Sequence, residues 1–461
     1  MKKITLSIFF ITLSFVSFSQ SIGYEDLALL FSSDDNLGSA RFNAMSGAFG
    51  ALGGDISAFK INPAGAAVFN NGLVTTTGSS RTTKNQSLYY GNKTTTQDEY
   101  FNLSQAGGVF VYRNYVNKDW SKFSMGFNFS IKNDFRDYFI ANGNSGFSTF
   151  NEFPLDTNNP KTQYDFTDSQ RFINTYNGEL SEYNFVISAL YKKDLYVGFS
   201  INTFDLKFSQ NNTLTEKNND GNGNVLNARY NQQNYTLGTG FSLNAGLIYK
   251  ASKYLRLGFS YQTPTWFTEI NEETNIVDND GFFGDTTIFV SNDTTTYDNT
   301  LGGFNPRQNF SYKLKTPGVA TASAAFIFGS WGLISADYSY KTYNNMKLSN
   351  DDFSQENEFF LNNLRNTYTL KLGTEWRLKS LSIRGGYLYE QSPDKFAIES
   401  DNIKGYSFGA GYSFGNVKFD ISYQNKSRTQ LYDFYQDYSQ VKPSELTIDN
   451  KIMTASITIN L

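Results

Sequence analysis

The sequence contains no cysteine and no histidine. Without cysteine the chain can form no disulfide bond and no thiolate site. Without histidine it can build neither a Ser-His or Cys-His catalytic pair nor a His-ligated zinc or haem centre. We therefore expect no cofactor, no metal site and no enzymatic activity.

An excess of one charge and long apolar runs are also missing. The 39 Lys and Arg residues and 43 Asp and Glu residues leave a formal net charge of -4 without a basic cluster, so nucleic acid is not an expected partner. Beyond the N-terminus no segment approaches the roughly 18 consecutive apolar residues of a transmembrane helix. A mature chain that enters a membrane must then form a closed barrel, because backbone polar groups in lipid need partners within the protein.

The N-terminus has the pattern of a signal peptide. Two lysines precede the apolar stretch 4–18, and Ser17 and Ser19 are the small residues expected before a cleavage point at Gln20. Residues 1–19 are therefore predicted to be removed on export. An uncleaved anchor is the alternative, although the apolar stretch is short for a spanning helix.

Large apolar residues alternate with small or polar ones over many short segments. Between Tyr235 and Tyr249, for example, Leu and Phe alternate with Gly, Ser and Asn, and segments 123–131, 368–377, 406–414 and 453–461 repeat the pattern. This alternation is typical of strands with one lipid-facing and one wet face. A soluble β-sandwich or β-helix is the alternative, but it would leave the outward apolar rows without a partner.

The alternation predicts an all-β protein, a 14-stranded antiparallel transmembrane β-barrel. The predicted strands are 73–90, 101–113, 119–133, 181–191, 195–208, 234–249, 254–264, 309–328, 331–343, 366–378, 381–391, 405–414, 416–425 and 452–461.

Connection lengths also alternate along the chain. Turns after even-numbered strands are short, near Asn117, Lys193, Ser252, Ser330, Lys379 and Gly415. Connections after odd-numbered strands are longer, notably 134–180, 209–233, 265–308 and 426–451, and are predicted to be hydrated loops because they are rich in Asn, Asp, Thr and Ser. Short periplasmic turns, long extracellular loops and two periplasmic termini characterise barrels of the bacterial outer membrane. The acidic cluster at 278–280 is expected to be part of a solvated loop because it lacks the ligand spacing of a calcium loop, and calcium binding there is the alternative.

The segment before the first strand, residues 20–72, is dense in Gly, Ala and Ser. Asp55 is predicted to cap a short turn over 56–60, and Asn62 with Pro63 is predicted to begin a second turn. Small residues allow the close backbone approach that a plug in a narrow lumen requires. From the residues alone, an ordinary Gly-rich loop is an equal alternative. If the segment is a plug, the chain after the signal peptide divides into a plug over 20–72 and a barrel over 73–461.

Within this segment Gly47, Asp55, Ser57, Asn62, Pro63, Ala64 and Gly65 form a distinctive pattern. With these residues the segment resembles the N-terminal hatch of the FadL/TodX (OmpP1) family of outer-membrane transporters of hydrophobic compounds. The resemblance implies that residues 20–72 form a plug in the lumen of the barrel. Lys315 to Pro317 and Ile334 to Tyr338 add to it, and with the strand count it covers essentially the whole chain after the signal peptide. The C-terminal Leu461 departs from the Phe that ends most such barrels, and the loops carry no family signature.

The resemblance implies a monomer in the outer membrane, surrounded by membrane lipid, that takes up long-chain fatty acids or aromatic hydrocarbons by passive diffusion. It also implies a lateral exit into the bilayer at a kink in the third strand. The candidates for the kink are Gly126, the backbone-permissive residue in the middle of that strand, and a bulge at Asn133 and Asp134.

Four cationic residues are candidate contacts for a ligand carboxylate, because the alternation turns them toward the lumen: Arg256, Lys371, Arg377 and Arg384. The alternative is that they form ordinary lumen ion pairs with Glu375, Asp337, Asp420 and Glu390.

A second function remains open, namely a barrel of the same family that binds a protein partner or serves a secretion system. An apolar chamber above the plug would favour transport, whereas a wide empty lumen would favour the partner role. A general porin is disfavoured because a plug blocks free diffusion.

Overall fold

The computed structural model describes residues 22–114, 119–153, 156–278, 285–290, 293–298, 307–435 and 440–461. The predicted signal peptide, the turn at Asn117 and most of the acidic cluster at 278–280 lie outside these ranges. Within them, no helix is both long enough and apolar enough to cross a membrane.

The described residues form one antiparallel sheet of twenty strands. The sheet closes on itself because β1 pairs with β20, from Leu73 opposite Asn460 to Leu88 opposite Glu445. The strands are β1 (Leu73–Tyr89), β2 (Asn92–Arg113), β3 (Trp120–Asp134), β4 (Asp137–Gly143), β5 (Phe166–Tyr191), β6 (Leu195–Asn219), β7 (Val225–Lys250), β8 (Leu255–Gln262), β9 (Trp266–Asp278), β10 (Asp285–Val290), β11 (Asp293–Asp298), β12 (Arg307–Lys315), β13 (Val319–Ile327), β14 (Gly332–Lys341), β15 (Lys347–Ser349), β16 (Thr367–Leu378), β17 (Leu381–Glu390), β18 (Ile403–Ser413), β19 (Val417–Tyr432) and β20 (Ser444–Asn460).

These strands occupy fourteen positions round the barrel, which we number as walls 1 to 14 in chain order. Four walls each consist of two strands separated by a short break: wall 3 (β3 and β4), wall 7 (β8 and β9), wall 8 (β12 and β13) and wall 9 (β14 and β15). The hairpin β10–β11 belongs to the connection between walls 7 and 8. The predicted 14-stranded barrel is therefore confirmed.

One rim of the barrel, the short-turn rim, carries tight turns where the sequence predicted them. Lys192, Lys193, Gly329, Lys379 and Gly415 adopt the positive φ angles of such turns. Exposed aromatic side chains lie close to this rim, among them Tyr249, Tyr254, Trp331 and Trp376, as expected at a membrane interface.

At the opposite, long-loop rim, the prediction of loops is wrong over much of their length, because the chain there forms strands. β6 extends to Asn219 and pairs with β7 down to Val225, and β1 and β2 form a tight hairpin at Tyr90 and Gly91. The connection after wall 9 holds the helix α3, defined below. The upper part of β6 carries polar residues on both faces, with Asn212, Glu216 and Asn218 buried on the inner face. It therefore shows no apolar alternation although the backbone ladder continues.

The two faces of the wall differ as the alternation predicted. Outward Phe127, Phe185 and Ile187 are exposed to 40%, 53% and 57%. Inward Asn128 and Asn184 are fully buried and form a side-chain ladder, with Asn128 Nδ2 donating to Asn184 Oδ1 at 2.9 Å. Buried amides are tolerated here because they bond one another across the walls.

The plug comprises residues 22–72 and lies inside the barrel. Its elements are the helices α1 (Tyr24–Ser32) and α2 (Ala40–Ala44) and two 3₁₀ helices, Ile56–Lys60 and Pro63–Val68; the third α-helix of the described residues, α3 (Ser354–Asn362), lies in the connection after wall 9. Asp55 accepts the Ser57 amide at 3.0 Å and Asn62 accepts the Ala64 amide at 3.1 Å. Both predicted caps are confirmed.

Inward glycines give the plug room to approach the wall. A Cβ built at Gly198 would lie 2.4 Å from the backbone of Pro63 and Ala64, and one at Gly258 would lie 2.5 Å from the Gly50 carbonyl oxygen. Similar contacts with the plug occur at Gly246, Gly373, Gly386 and Gly409. The small lumen-facing residues therefore match the plug rather than an open channel.

We expect Gly198→Leu to dislodge the second 3₁₀ helix of the plug, because overpacking a tight contact costs about 1–3 kcal/mol. Single-channel conductance in a planar bilayer should rise above that of the parent protein. The matched control is Gly385→Leu, since a Cβ at Gly385 meets nothing nearer than 3.9 Å. Equal conductance in both variants, with both barrels folded by heat-modifiable gel mobility, would contradict the contact.

Candidate functional site: an apolar chamber above the plug

Between the plug and the long-loop rim the lumen is lined by apolar side chains, and we call this region the chamber. Its buried lining comes from walls 1, 3 to 5, 7 to 9, 13 and 14 and from α3. The members include Phe135, Phe139, Phe172, Tyr176, Phe204, Phe208, Phe267, Ile270, Tyr312, Leu314, Tyr343, Met346, Phe360, Leu446 and Ile448. A lumen of this composition can bind a hydrophobic molecule and differs from the polar lining of an aqueous pore.

Helix α1 of the plug occupies the chamber. Its Leu27, Ala28 and Phe31 are buried among the lining residues, and the ring of Phe31 lies 5.7 Å from that of Phe135 and 5.5 Å from that of Phe208. The ring of Tyr24, at the start of the helix, lies 5.3 to 5.6 Å from three further aromatic rings. The apolar face of the helix therefore fills the space that a hydrophobic ligand would need.

A layer of charged residues separates the chamber from the body of the plug. Lys60 Nζ lies 3.7 Å from Asp34 Oδ1, and Arg81 Nη1 lies 2.8 Å from Asp35 Oδ2. Burial by itself would raise the pKa of Asp34, but Lys60, Lys132 and Lys371 hold that pKa well below its usual range. Asp34 is therefore a carboxylate at neutral pH and helps to anchor the plug.

Arg428 of β19 is the cation of this layer that has the fewest partners. It faces the lumen opposite Ile448, which lines the chamber. Among the described residues it makes no hydrogen bond and no ion pair within 4 Å, although Asp137, Asp35 and Glu390 are near enough to interact electrostatically. A guanidinium at the floor of an apolar chamber can receive an anionic head group.

The four predicted lumen cations all face inward but have different surroundings. Arg377 and Arg384 are paired with carboxylates, as the alternative interpretation expected. Arg256 Nη1 donates to the Leu52 carbonyl of the plug at 3.0 Å. Lys371 Nζ donates to Asn36 Oδ1 at 2.6 Å and lies in the charged layer. Of the four, Lys371 is the one placed near the chamber.

The carboxylate of Glu375 is the centre of the cluster that anchors the plug to the wall. Arg41 Nε of the plug and Arg384 Nε of β17 each lie 2.7 Å from Glu375 Oε2, and Arg377 Nη2 lies 2.5 Å from Oε1. Arg384 also contacts Asp420 Oδ1 at 2.7 Å. Three guanidinium groups thus share two carboxylates beneath the plug, so this cluster is structural.

The residues of the hatch resemblance maintain the fold of the plug. Asp55 Oδ2 accepts the Ser39 hydroxyl at 2.8 Å, and Ser57 Oγ accepts the Ser39 amide at 2.7 Å. Asn62 Nδ2 donates to the Gly50 carbonyl of the plug and to the Leu247 carbonyl of β7. Of the other residues, Gly47 has a φ of 75°, Gly65 packs against Gly53, and Pro63 and Ala64 pack against Gly198.

Wall 3 is broken where it borders the chamber. β3 follows β2 as far as the pair Gln105 and Ser130, shifts register against β5 between Ile131 and Asn133, and ends at Asp134. The candidate bulge near Asn133 is thus where the ladder departs from regularity. Gly126 is not the kink, because it is paired with the neighbouring strands on both sides. A Cβ built at Gly126 would lie 2.5 Å from the Phe59 ring of the plug, so the glycine makes room for that ring.

Beyond the break the wall turns inward. β4 stays paired with β5, while Asn85 and Ser87 on the inner face of β1 donate to the carbonyls of Tyr138 and Ile140 at 3.0 and 2.6 Å. In the described residues β2 and β4 share no backbone pairing. We call this side-chain-closed boundary between β2 and wall 3 the seam.

Side chains alone close the seam. Asn102 Nδ2 donates to Asp134 Oδ2 at 2.8 Å, and the Arg136 guanidinium lies 3.6 Å from the centre of the Tyr100 ring. Thr96 donates to the Tyr138 carbonyl at 2.7 Å. Contacts of this kind can open without breaking a backbone ladder, so the seam is a candidate point at which the wall opens.

Sequence reasoning missed α1 and Arg428. The even-numbered, inward register of β19 could have identified Arg428, because Asp420, Ser422 and Gln424 precede it on the same face. The position of α1 had no comparable signal, since nine residues of amphipathic helix do not indicate what they pack against.

We expect Glu375→Gln to lower the free energy of unfolding by about 3–5 kcal/mol, because it removes the carboxylate that three guanidinium groups share. Urea titration of the detergent-solubilised protein measures this, and proteolysis of the plug should accelerate. The control is Glu399→Gln, which removes an exposed ion pair with Lys404 and should leave the midpoint unchanged. A similar midpoint for both variants would show that the cluster does not anchor the plug.

The architecture was compared with those of known proteins. No family model matches the chain, and no curated protein matches it in sequence. Among solved structures, a Pseudomonas aeruginosa FadL homologue matches over 93% of this chain and 99% of its own, with 13% identity and a TM-score of 0.59. The toluene transporters TodX of P. putida (14% identity, 93% and 99% covered, TM-score 0.55) and TbuX of Ralstonia pickettii (15%, 92% and 99%, 0.53) are similar to it in the same way. The chain thus has the fold of the FadL and TodX outer-membrane channels, as the resemblance implied.

Proposed function

We propose that this protein is an outer-membrane channel for the uptake of hydrophobic small molecules by passive diffusion. In this proposal the short turns and both termini face the periplasm, and the long-loop rim faces the outside. The barrel acts as a monomer, surrounded by membrane lipid. The structural neighbours are transporters and not enzymes, which supports a role without catalysis.

The observation that carries the proposal is that the chamber meets the seam. Phe135 lies in the break between β3 and β4, and its buried ring belongs to the lining of the chamber. A ligand in the chamber is therefore beside the seam, which backbone pairing does not close.

The route follows from the free energy of hydrophobic transfer. Each CH₂ group buried away from water contributes about 0.8 kcal/mol. A long-chain ligand in the chamber would lose that free energy if it left through the plug into an aqueous periplasm. An exit through the seam into lipid avoids this loss, and the ordered plug can remain in place.

A ligand can enter the chamber only if it displaces α1. The helix buries Leu27, Ala28 and Phe31 there, and a ligand can replace these contacts with its own apolar surface. Displacement is then an exchange of one hydrophobic occupant for another, which keeps its net cost small.

The alternative function, a barrel that serves a protein partner or a secretion system, has less support. A wide empty lumen would favour it, whereas the lumen here is filled by the plug, the charged layer and the apolar chamber.

The test of the lateral route is to lock the seam. Asn102→Cys with Asp134→Cys places two thiols across it in a chain that has no other cysteine. A short bis-methanethiosulfonate cross-linker should abolish uptake of radiolabelled oleate and of toluene, because the seam can no longer open. Uptake should return on reduction.

The matched control is Thr75→Cys with Thr458→Cys, which lies across the intact pair of β1 and β20, where the two hydroxyls are 2.8 Å apart. Cross-linking there should leave uptake unchanged. Undiminished uptake through the locked seam would refute lateral exit, and no uptake of any fatty acid or hydrocarbon by the parent protein would refute the channel.

The substrate class can be tested at Arg428. If fatty acids are carried, Arg428→Gln should weaken oleate binding about 10- to 100-fold, as expected for one charge-assisted hydrogen bond of about 1.5–3 kcal/mol. Toluene binding should not change, because it has no charge. Arg171→Gln, on the exposed outer face of β5, is the control. Equal oleate affinity in all three proteins would exclude Arg428 as the carboxylate contact.

A further inference from the structure

Walls 7, 8 and 9 are all broken at the same height, on the side of the barrel away from the seam. The breaks are residues 263–265 between β8 and β9, 316–318 between β13 and β12, and 342–346 between β14 and β15. Pro264 and Pro317 lie in the first two breaks. Proline has no amide hydrogen, so it interrupts a ladder without leaving an unsatisfied donor.

The breaks form a notch of about 400 Å³ on the outer face of the wall. Ala320 lies at its base, with Tyr261 opposite on one side and Tyr340 opposite on the other. The two tyrosines are exposed to 48% and 43%. A small residue between two outward rings leaves a slot that is open to the bilayer and apolar on its sides.

The notch is preformed. The Thr316 amide donates to the Thr265 carbonyl at 3.0 Å, and the Thr265 amide donates to Thr316 Oγ1 at 3.0 Å. The Thr342 amide likewise donates to the Gly318 carbonyl at 3.2 Å. The interrupted ladders are thus replaced by local hydrogen bonds that hold the three breaks in place.

A row of cations lies directly beyond the notch, toward the long-loop rim. Lys315 is opposite Trp266 on one side and opposite Lys347 on the other, and Lys313 follows Lys315 on the same outward face. None of the three lysines forms an ion pair within 4 Å among the described residues. Like charges directly opposite each other destabilise a sheet, so this arrangement favours binding of an anion.

The height of the notch matches a lipid interface. Trp331 marks the short-turn rim of wall 9, and Tyr340 is nine residues further along, which is about 30 Å of strand or about 23 Å of height at a tilt of about 40°. The apolar band of such barrels is about 25 Å tall. The tyrosines therefore lie at its upper edge, and the lysines lie at the level of lipid head groups.

We propose that this notch binds a phosphorylated, multi-acyl glycolipid of the outer leaflet. One acyl chain lies between Tyr261 and Tyr340, and a phosphate lies between Lys315 and Lys347. The proposal rests on the orientation given above, with the long-loop rim outside, and does not depend on what the lumen carries.

The experiment uses the purified full-length barrel in detergent, with diphosphoryl lipid A as the probe and native mass spectrometry as the readout. The double variant Lys315→Gln/Lys347→Gln should bind about 30-fold more weakly, since two interfacial lysines are removed. The matched control is Lys207→Gln/Lys404→Gln, which removes two outward lysines that already pair with Asp205 and Glu399. It should bind like the parent protein.

Two further arms separate the acyl and phosphate contributions. Gly318→Leu should weaken binding while keeping the lysines, because even a Cβ there meets Tyr261 Oη at 3.2 Å and Pro264 Cδ at 3.3 Å. Dephosphorylated lipid A should bind weakly, and inorganic phosphate should not compete.

Equal lipid A binding by the parent protein and by Lys315→Gln/Lys347→Gln would overturn the proposal, and so would an equal loss in the control. Heat-modifiable gel mobility verifies that each variant is folded. Oleate uptake should be unchanged in Lys315→Gln/Lys347→Gln, so a failure of the lipid site is distinguishable from a failure of the channel.

Discussion

The structure depends on one constraint: in the hydrocarbon layer every backbone amide and carbonyl must find its partner within the protein. The pairing of β1 with β20 satisfies it by closing the sheet. Closure makes one face of each strand lipid-facing and the other lumen-facing, and this separation produces the alternation seen in the sequence. The polar ladder of Asn128 and Asn184 and the outward rows of Phe and Ile are two results of the same closure.

The lumen is divided into layers that differ in the polarity of their side chains. At the bottom, Arg41 and Glu375 join the plug to the wall, and glycines such as Gly198 allow the two backbones to meet. Above the plug, acidic and basic groups neutralise one another around Asp34. Above this layer lies the largest apolar cluster of the described residues, and there α1 provides the surface that a ligand would otherwise provide. The chamber therefore favours binding of an apolar solute over a polar one.

The wall departs from a regular ladder on two sides, and the two departures have opposite consequences. At wall 3 the chain turns inward after Asp134, and a boundary closed by side chains such as Asn102 remains. At walls 7 to 9 the breaks open outward and are stabilised by their own hydrogen bonds, as at Thr265 and Thr316. The first is suited to opening, because few contacts close it. The second is suited to holding a fixed ligand, because its shape does not depend on that ligand.

The sequence by itself determined the barrel, its fourteen walls, the short-turn rim and the two caps of the plug, because alternation and capping act over a few neighbouring residues. It did not determine which cations are paired: Arg384 and Lys371 follow the same inward register, yet one meets Glu375 and the other Asn36. It also suggested Gly126 for the kink, whereas the break follows Asp134. The position of α1 and the alignment of three breaks into one notch were decided only by the tertiary structure. These features join residues far apart in the chain, and no local pattern records which distant surfaces will meet.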